Sequence, residues 1–62
     1  MANKIKELRQ KKNLTQKELG EKLGITGRAV GHYENGVREP SLATAKLMAD
    51  ILETTIEDLF NL

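Results

Sequence analysis

The stretch 14–40, LTQKELGEKLGITGRAVGHYENGVREP, holds two helical patterns, the tight turn between them and a fixed exit. Thr15-Gln16-Lys17-Glu18 has the form of a capping box: the Thr15 hydroxyl can accept from the Glu18 backbone N–H while the Glu18 carboxylate reaches back to the start of the helix. Loss of such a cap costs about 1 kcal/mol. Leu19 and Leu23 fall four residues apart on one face, and Gly20 beside them leaves room for another helix to come close. Gly24 suits the left-handed conformation that ends a helix. Only Ile25 separates it from Thr26, which can cap a second helix whose inward residues are Ile25, Val30 and Tyr33. A turn this short makes the two helices cross steeply, the geometry in which the second can lie in a DNA major groove.

Working outward, the pattern predicts helices over 3–12, 15–23, 26–34, 41–52 and 56–60. Asn3 is placed to cap the first, with Ile5 and Leu8 inward. Pro40-Ser41 opens the fourth, whose core face is Leu42, Ala45, Met48, Ala49 and Leu52. Thr55-Ile56-Glu57-Asp58 caps a short last helix, with acids in the first turn where the helix dipole favours them, and Leu59 and Phe60 close the core. Nothing alternates with a period of two, so no sheet is expected, and no repeat or low-complexity segment is present.

The 62 residues make one domain, 1–62, able to bury only roughly 60% of its unfolded surface. With no cysteine there is no disulfide or thiolate site, and the one histidine, His32, cannot form a multi-histidine zinc site. Catalysis needs an acid, base or nucleophile converging in a pocket, and this composition offers none: no catalytic residue, metal, cofactor or small-molecule substrate is expected. No apolar run is long enough to span a bilayer and the first residues lack a signal-peptide core, so the chain reads as soluble and cytoplasmic. Net charge is +1, but it is polarised: +4 over 1–12, zero over 13–40 and −3 over 41–62. That asymmetry suits a front turned toward phosphates and a tail turned away, although solvated helix faces produce the same counts.

The Leu-Thr-Gln opening at 14–16, the Glu-Leu-Gly-Glu-Lys-Leu-Gly run at 18–24 and the Tyr-Glu-Asn-Gly-Val-Arg-Glu-Pro-Ser exit at 33–41 resemble the DNA-binding domain of the phage repressor and Cro family, the XRE-type regulators. The resemblance extends from Ile5-Lys6-Glu7-Leu8-Arg9 to Ile56-Glu57-Asp58-Leu59-Phe60, nearly the whole chain. It implies an all-α fold, a compact five-helix lambda-repressor-like domain with the helix-turn-helix at helices 2 and 3. Double-stranded DNA is then the expected partner.

The resemblance assigns base reading to Gly27, Arg28, Ala29 and His32 on the exposed face near the start of the third helix. Arg28 is the foremost of these, because a guanidinium can donate twice to guanine O6 and N7, a discrimination of about 1–3 kcal/mol. A solvated arginine or a phosphate contact is the plainer alternative. His32 either donates to a base or phosphate or sits idle on the flank. The Ala29 methyl either meets a thymine methyl or only favours the helix. Gln16, in the family, fixes the second helix on the DNA backbone and sometimes touches a base. Thr26, Asn35 and Arg38, and less strongly Lys6 and Lys11, are candidate phosphate contacts, with helix N-termini as further anion sites. Asn35-Gly36 is equally a turn signal. The resemblance also pairs Arg9 with Glu34 as a structural brace beneath the recognition helix.

Several positions depart from the family pattern. Gly27 and Gly31 occupy the recognition helix where longer or hydroxylic residues are common, each costing about 1 kcal/mol relative to alanine. Such a helix is either loose until it docks or unusually close to the groove floor, and specificity then leans on Arg28 and on DNA shape. Gly20 replaces a more usual alanine, a mild change. Glu53 stands where a glycine commonly ends the fourth helix, leaving a junction that is strained or differently capped. Leu47 and Ile51, with Leu62, form a candidate self-association or partner patch, against the alternative of ordinary scattered apolar surface. A weak homodimer formed on DNA would set two recognition helices roughly 34 Å apart. The expected function is a sequence-specific regulator, most simply a repressor on a near-palindromic operator. The alternative is an antitoxin or anti-repressor acting through helix four and the tail on another protein.

Overall fold

The computed structural model describes residues 3–62. Among them are five helices in succession: α1 (Ile5–Lys11), α2 (Gln16–Leu23), α3 (Gly27–Glu34), α4 (Leu42–Ile51) and α5 (Ile56–Phe60). The all-α fold and the order of elements agree with the sequence pattern, with ends shifted by no more than two residues, the usual fraying of helix boundaries.

Local chemistry explains where each helix starts. Thr15, Thr26, Ser41 and Thr55 each take extended backbone and accept the N–H three residues on through the side-chain oxygen. At Thr15 the box is complete, with the Glu18 carboxylate accepting from the Thr15 backbone N–H at 2.8 Å. The entry to α1 differs slightly: Lys4 is the boundary residue, and Asn3 accepts from the Ile5 N–H at 3.0 Å.

The ends share one device. Each helix is followed by a left-handed residue: Asn13, Gly24, Gly36, Glu53 and Asn61. After all five of them the next N–H returns to a carbonyl five residues back: Leu14 to Arg9, Ile25 to Gly20, Val37 to His32, Thr54 to Ala49 and Leu62 to Glu57. Glycine and asparagine tolerate that backbone; Glu53 at φ 56° carries a Cβ penalty. The junction after α4 is therefore closed by the usual hydrogen bonds around an unfavourable residue.

Packing ties the five short helices into one core. Ile5, Leu19, Val30, Met48 and Leu59, one from each helix, are completely buried, and Ala49 and Leu52 fill between them. No single helix here is long enough to be stable alone, so this shared centre holds them. The Lys4 N–H donates to the Leu59 carbonyl at 2.9 Å and the Asn3 amide to the Tyr33 carbonyl at 2.9 Å, anchoring the start of α1 to α5 and α3.

Leu42 corrects the sequence reading. It was expected in the core face of α4 but is 65% exposed. It occupies the first turn, where it borders an open hollow with Pro40, Phe60 of α5 and Leu62 but is left largely uncovered. The core stripe of α4 begins at Ala45.

Candidate nucleic-acid interface

Helices α2 and α3 pack closely, and their glycines set the distance. A Cβ on Gly20 would stand 2.8 Å from the Ile25 carbonyl oxygen, 2.9 Å from the Thr26 carbonyl carbon and 3.0 Å from the Gly27 nitrogen. All three are backbone atoms, which cannot rotate aside. An alanine at position 20 therefore requires the turn to shift, a closer fit than the mild change from alanine expected from the sequence. Gly27 also departs from expectation: it backs onto the first turn of α2, where a Cβ would meet the Lys17 Cα and nitrogen at 3.0 Å, instead of sharing the outward face with Arg28. Beyond the two explanations read from the sequence, the glycines of α3 have an internal one: both abut α2.

With α3 held in this way, helical periodicity divides its faces. Val30 is buried, and Arg28 and His32, four residues apart, fall on the opposite side; Arg28 is exposed and His32 half-buried. Ala29 is half-buried on one flank. On the other flank lies Gly31, and the Gln16 side chain from the start of α2 rests over it, with Nε2 3.2 Å from where a Cβ would be. The Thr26 hydroxyl is engaged as the cap of α3 through the Ala29 N–H at 3.1 Å. Asn35 is the exposed residue closing α3, and Arg38 is exposed just after it. Lys6 and Lys11 are exposed on α1.

Beneath this face Arg9 and Glu34 form an ion pair. Arg9 Nε donates to Glu34 Oε2 at 2.6 Å and Nη2 to Oε1 at 3.4 Å, while Nη1 donates to the Leu14 carbonyl at 2.8 Å. Their side chains are 9% and 3% exposed. Among the described residues no buried side-chain polar atom lacks a partner. Gln16 joins the pair, its Nε2 donating to Glu34 Oε1 at 3.1 Å. The Gln16–Glu34 bond and the Asn3–Tyr33 bond were not read from the sequence. Each spans many residues and leaves no local pattern.

The candidate apolar patch divides in two. Leu47, 43% exposed, and the half-buried Ile51 line a hollow with Leu14, Lys12 and Lys22. Leu62 instead borders the hollow of Leu42 and Phe60, together with Glu39. The tail after α5 turns back through the Leu62 N–H to the Glu57 carbonyl at 2.8 Å, which places Leu62 beside the start of α4. Among the described residues no helix is long and apolar enough to cross a membrane.

Comparison with known proteins points to a single family. A helix-turn-helix family model matches residues 5–59. An uncharacterised HTH-type transcriptional regulator of Archaeoglobus fulgidus is 38% identical over 60 residues, 97% of this chain and 84% of its own length. One from Methanocaldococcus jannaschii is 40% identical over 60 residues, covering 97% of this chain and 91% of the relative. The HTH-type transcriptional regulator AnsR of Bacillus subtilis is 37% identical over 57 residues, 92% of this chain but 49% of AnsR.

Proposed function

Because the chain belongs to the XRE-type helix-turn-helix family, we propose that it is a DNA-binding regulator of transcription that reads a near-palindromic operator through the major groove and represses by blocking promoter access. The relatives are named as transcriptional regulators, not as enzymes. The observation that carries the reading is the outward face of α3. Arg28 and His32 lie opposite buried Val30, on a helix braced from behind by α1 and α2. Presented to a major groove, Arg28 pairs with guanine O6 and N7, while His32 and Ala29 meet neighbouring bases. Capped N-termini of α2 and α3, with Thr26, Asn35, Arg38, Lys6 and Lys11, meet phosphates and fix the register.

A near-palindrome implies two copies. The Leu47 and Ile51 face of α4 is the surface proposed for a weak homodimer formed on DNA, with half-sites roughly 34 Å apart. The test is selection from a randomised duplex library at moderate salt, repeated with Arg28→Ala. An enriched near-palindrome that loses a guanine preference in the variant supports the reading. Retention without enrichment, erased by salt, rejects it.

A further inference from the structure

Two open hollows mark the surface of the domain, and the charged residues that line them have opposite sign. The first, about 600 Å³ in volume, lies where the end of α1, the loop after it, α2 and α4 meet, and is lined by Leu14, Leu47 and Ile51 with Lys12 and Lys22. The second, about 280 Å³, is lined by Pro40, Leu42, Ala45, Phe60 and Leu62 with Glu39. Both lysines of the first are exposed, and a lysine lays its apolar stem along such a wall while its ammonium stays in water. Lys22 is in no ion pair among the described residues. The Lys12 ammonium is paired with the Glu53 carboxylate, an ion pair open to water and weak enough for another anion to share. The Glu18 carboxylate, one turn before Lys22, already accepts from the Thr15 N–H.

We propose that the hollow of Leu14, Leu47 and Ile51 is a binding site for a small amphipathic carboxylate, with its apolar body against the three aliphatic side chains and its anionic head at Lys12 and Lys22, and that an occupied hollow excludes a second copy of the chain from α4. The volume lies within the roughly 300–1,000 Å³ of small-molecule sites. A stable protein interface takes roughly 20–30 residues on each side, far more than the five that form this hollow. A second copy seated here therefore depends on DNA to hold it, and a ligand of modest affinity is enough to compete. The sign of the lining selects the head group: two lysines favour an anion here, whereas Glu39 disfavours one in the other hollow. The exclusion rests on the homodimer reading above; the ligand site does not.

The test titrates the isotope-labelled chain with hexanoate, hexanol and hexylammonium, which share one tail and differ in head charge, and follows its amide and methyl NMR signals. Hexanoate should saturate in the millimolar range and move Leu14, Lys22, Leu47 and Ile51, with hexanol about threefold weaker. Hexylammonium should avoid this hollow and move Leu42 and Phe60 beside Glu39 instead. Lys22→Met should weaken hexanoate about threefold and leave hexanol unchanged, and Glu53→Gln, which frees the Lys12 ammonium, should tighten it about threefold. Both variants alter exposed side chains and keep the fold. Equal shifts by hexanoate and hexylammonium, or hexanoate moving Leu42 and Phe60 instead, would mean adhesion without recognition of charge, and the site falls. If the same signals move on raising the protein concentration alone and hexanoate does not reverse them, the hollow belongs to a second copy and the site falls likewise. On duplexes, hexanoate compared with acetate at the same concentration should weaken binding to two half-sites and leave one half-site unchanged. If it binds the hollow without that loss, the exclusion falls and the ligand site stands. A chain that enriches no duplex overturns the DNA reading and the exclusion with it, and leaves the ligand site to the titration.

Discussion

Arg9 of α1 and Glu34 of α3, 25 residues apart, meet at 2.6 Å beneath the outward face of α3 and are the point at which three helices are fastened together. The pair reaches α2 through Gln16 and the turn before it through the Leu14 carbonyl. Removing one member strands a buried charge, which costs about 3 kcal/mol or more, while a domain of this length holds only roughly 3–9 kcal/mol in all. Arg9→Met or Glu34→Leu alone should therefore leave the protein close to unfolding, and the double variant should lose clearly less than the sum. Urea denaturation of the four proteins measures this; additive losses would show that the pair is not coupled.

Gly20→Ala opposes two effects of known sign. Alanine gains about 1 kcal/mol of helix propensity, but its Cβ would press on the backbone of the turn at 2.8–3.0 Å. Overpacking against atoms that cannot rotate away costs about 1–3 kcal/mol. Net destabilisation is expected, with amide shifts concentrated at Ile25, Thr26 and Gly27. A raised thermal midpoint would mean that the turn relaxes freely.

Glu53→Gly should stabilise. The left-handed backbone at φ 56° penalises a side chain by about 1 kcal/mol. What is lost is the ion pair of Glu53 with Lys12, whose exposed carboxylate makes it worth only about 0.5 kcal/mol. A higher urea midpoint with an unchanged slope is the expected outcome, and a lower midpoint would assign the junction's stability to the ion pair.

Glu18 gives the capping box an acid dependence. The Thr15 backbone N–H first, and then its hydroxyl, with the Lys22 charge, hold the carboxyl below the ordinary glutamate value of 4.5, against a small opposing effect of burial. A lowered folded value means that the unfolded chain takes up the proton more readily. The contribution is complete above 4.5 and disappears as pH falls through the depressed value. Glu18→Gln keeps an acceptor without a titration, so the thermal-midpoint advantage of the wild type near neutral pH should shrink on acidification. A constant difference would assign it to packing.

Arg38, exposed after α3, is proposed to neutralise one phosphate. Arg38→Ala should weaken binding to all duplexes alike and reduce the slope of log affinity against log salt by about 1. A change confined to one base position would instead make it a base contact.

The helices were legible because their signals are local. A cap three residues before its partner, a left-handed stop and a 3.6-residue apolar period all act within a few residues, and the five starts and stops follow from them. The Arg9–Glu34 pair was legible only through resemblance, since no spacing rule links positions so far apart. Leu42 shows the limit of periodicity: it has the phase of a core residue, but phase says nothing about how fully another helix covers it.

What the sequence by itself determined is the set of helices, their order and the short turn at Gly24-Ile25, because backbone hydrogen bonding and side-chain caps are settled between near neighbours. Only the tertiary structure decided why Gly20, Gly27 and Gly31 are glycines, where the Gln16 amide is directed and that Leu62 stands apart from Leu47. Each of these depends on the distance between segments brought together by the shared core, and that distance is set by all five buried side chains at once, not by any stretch of chain alone.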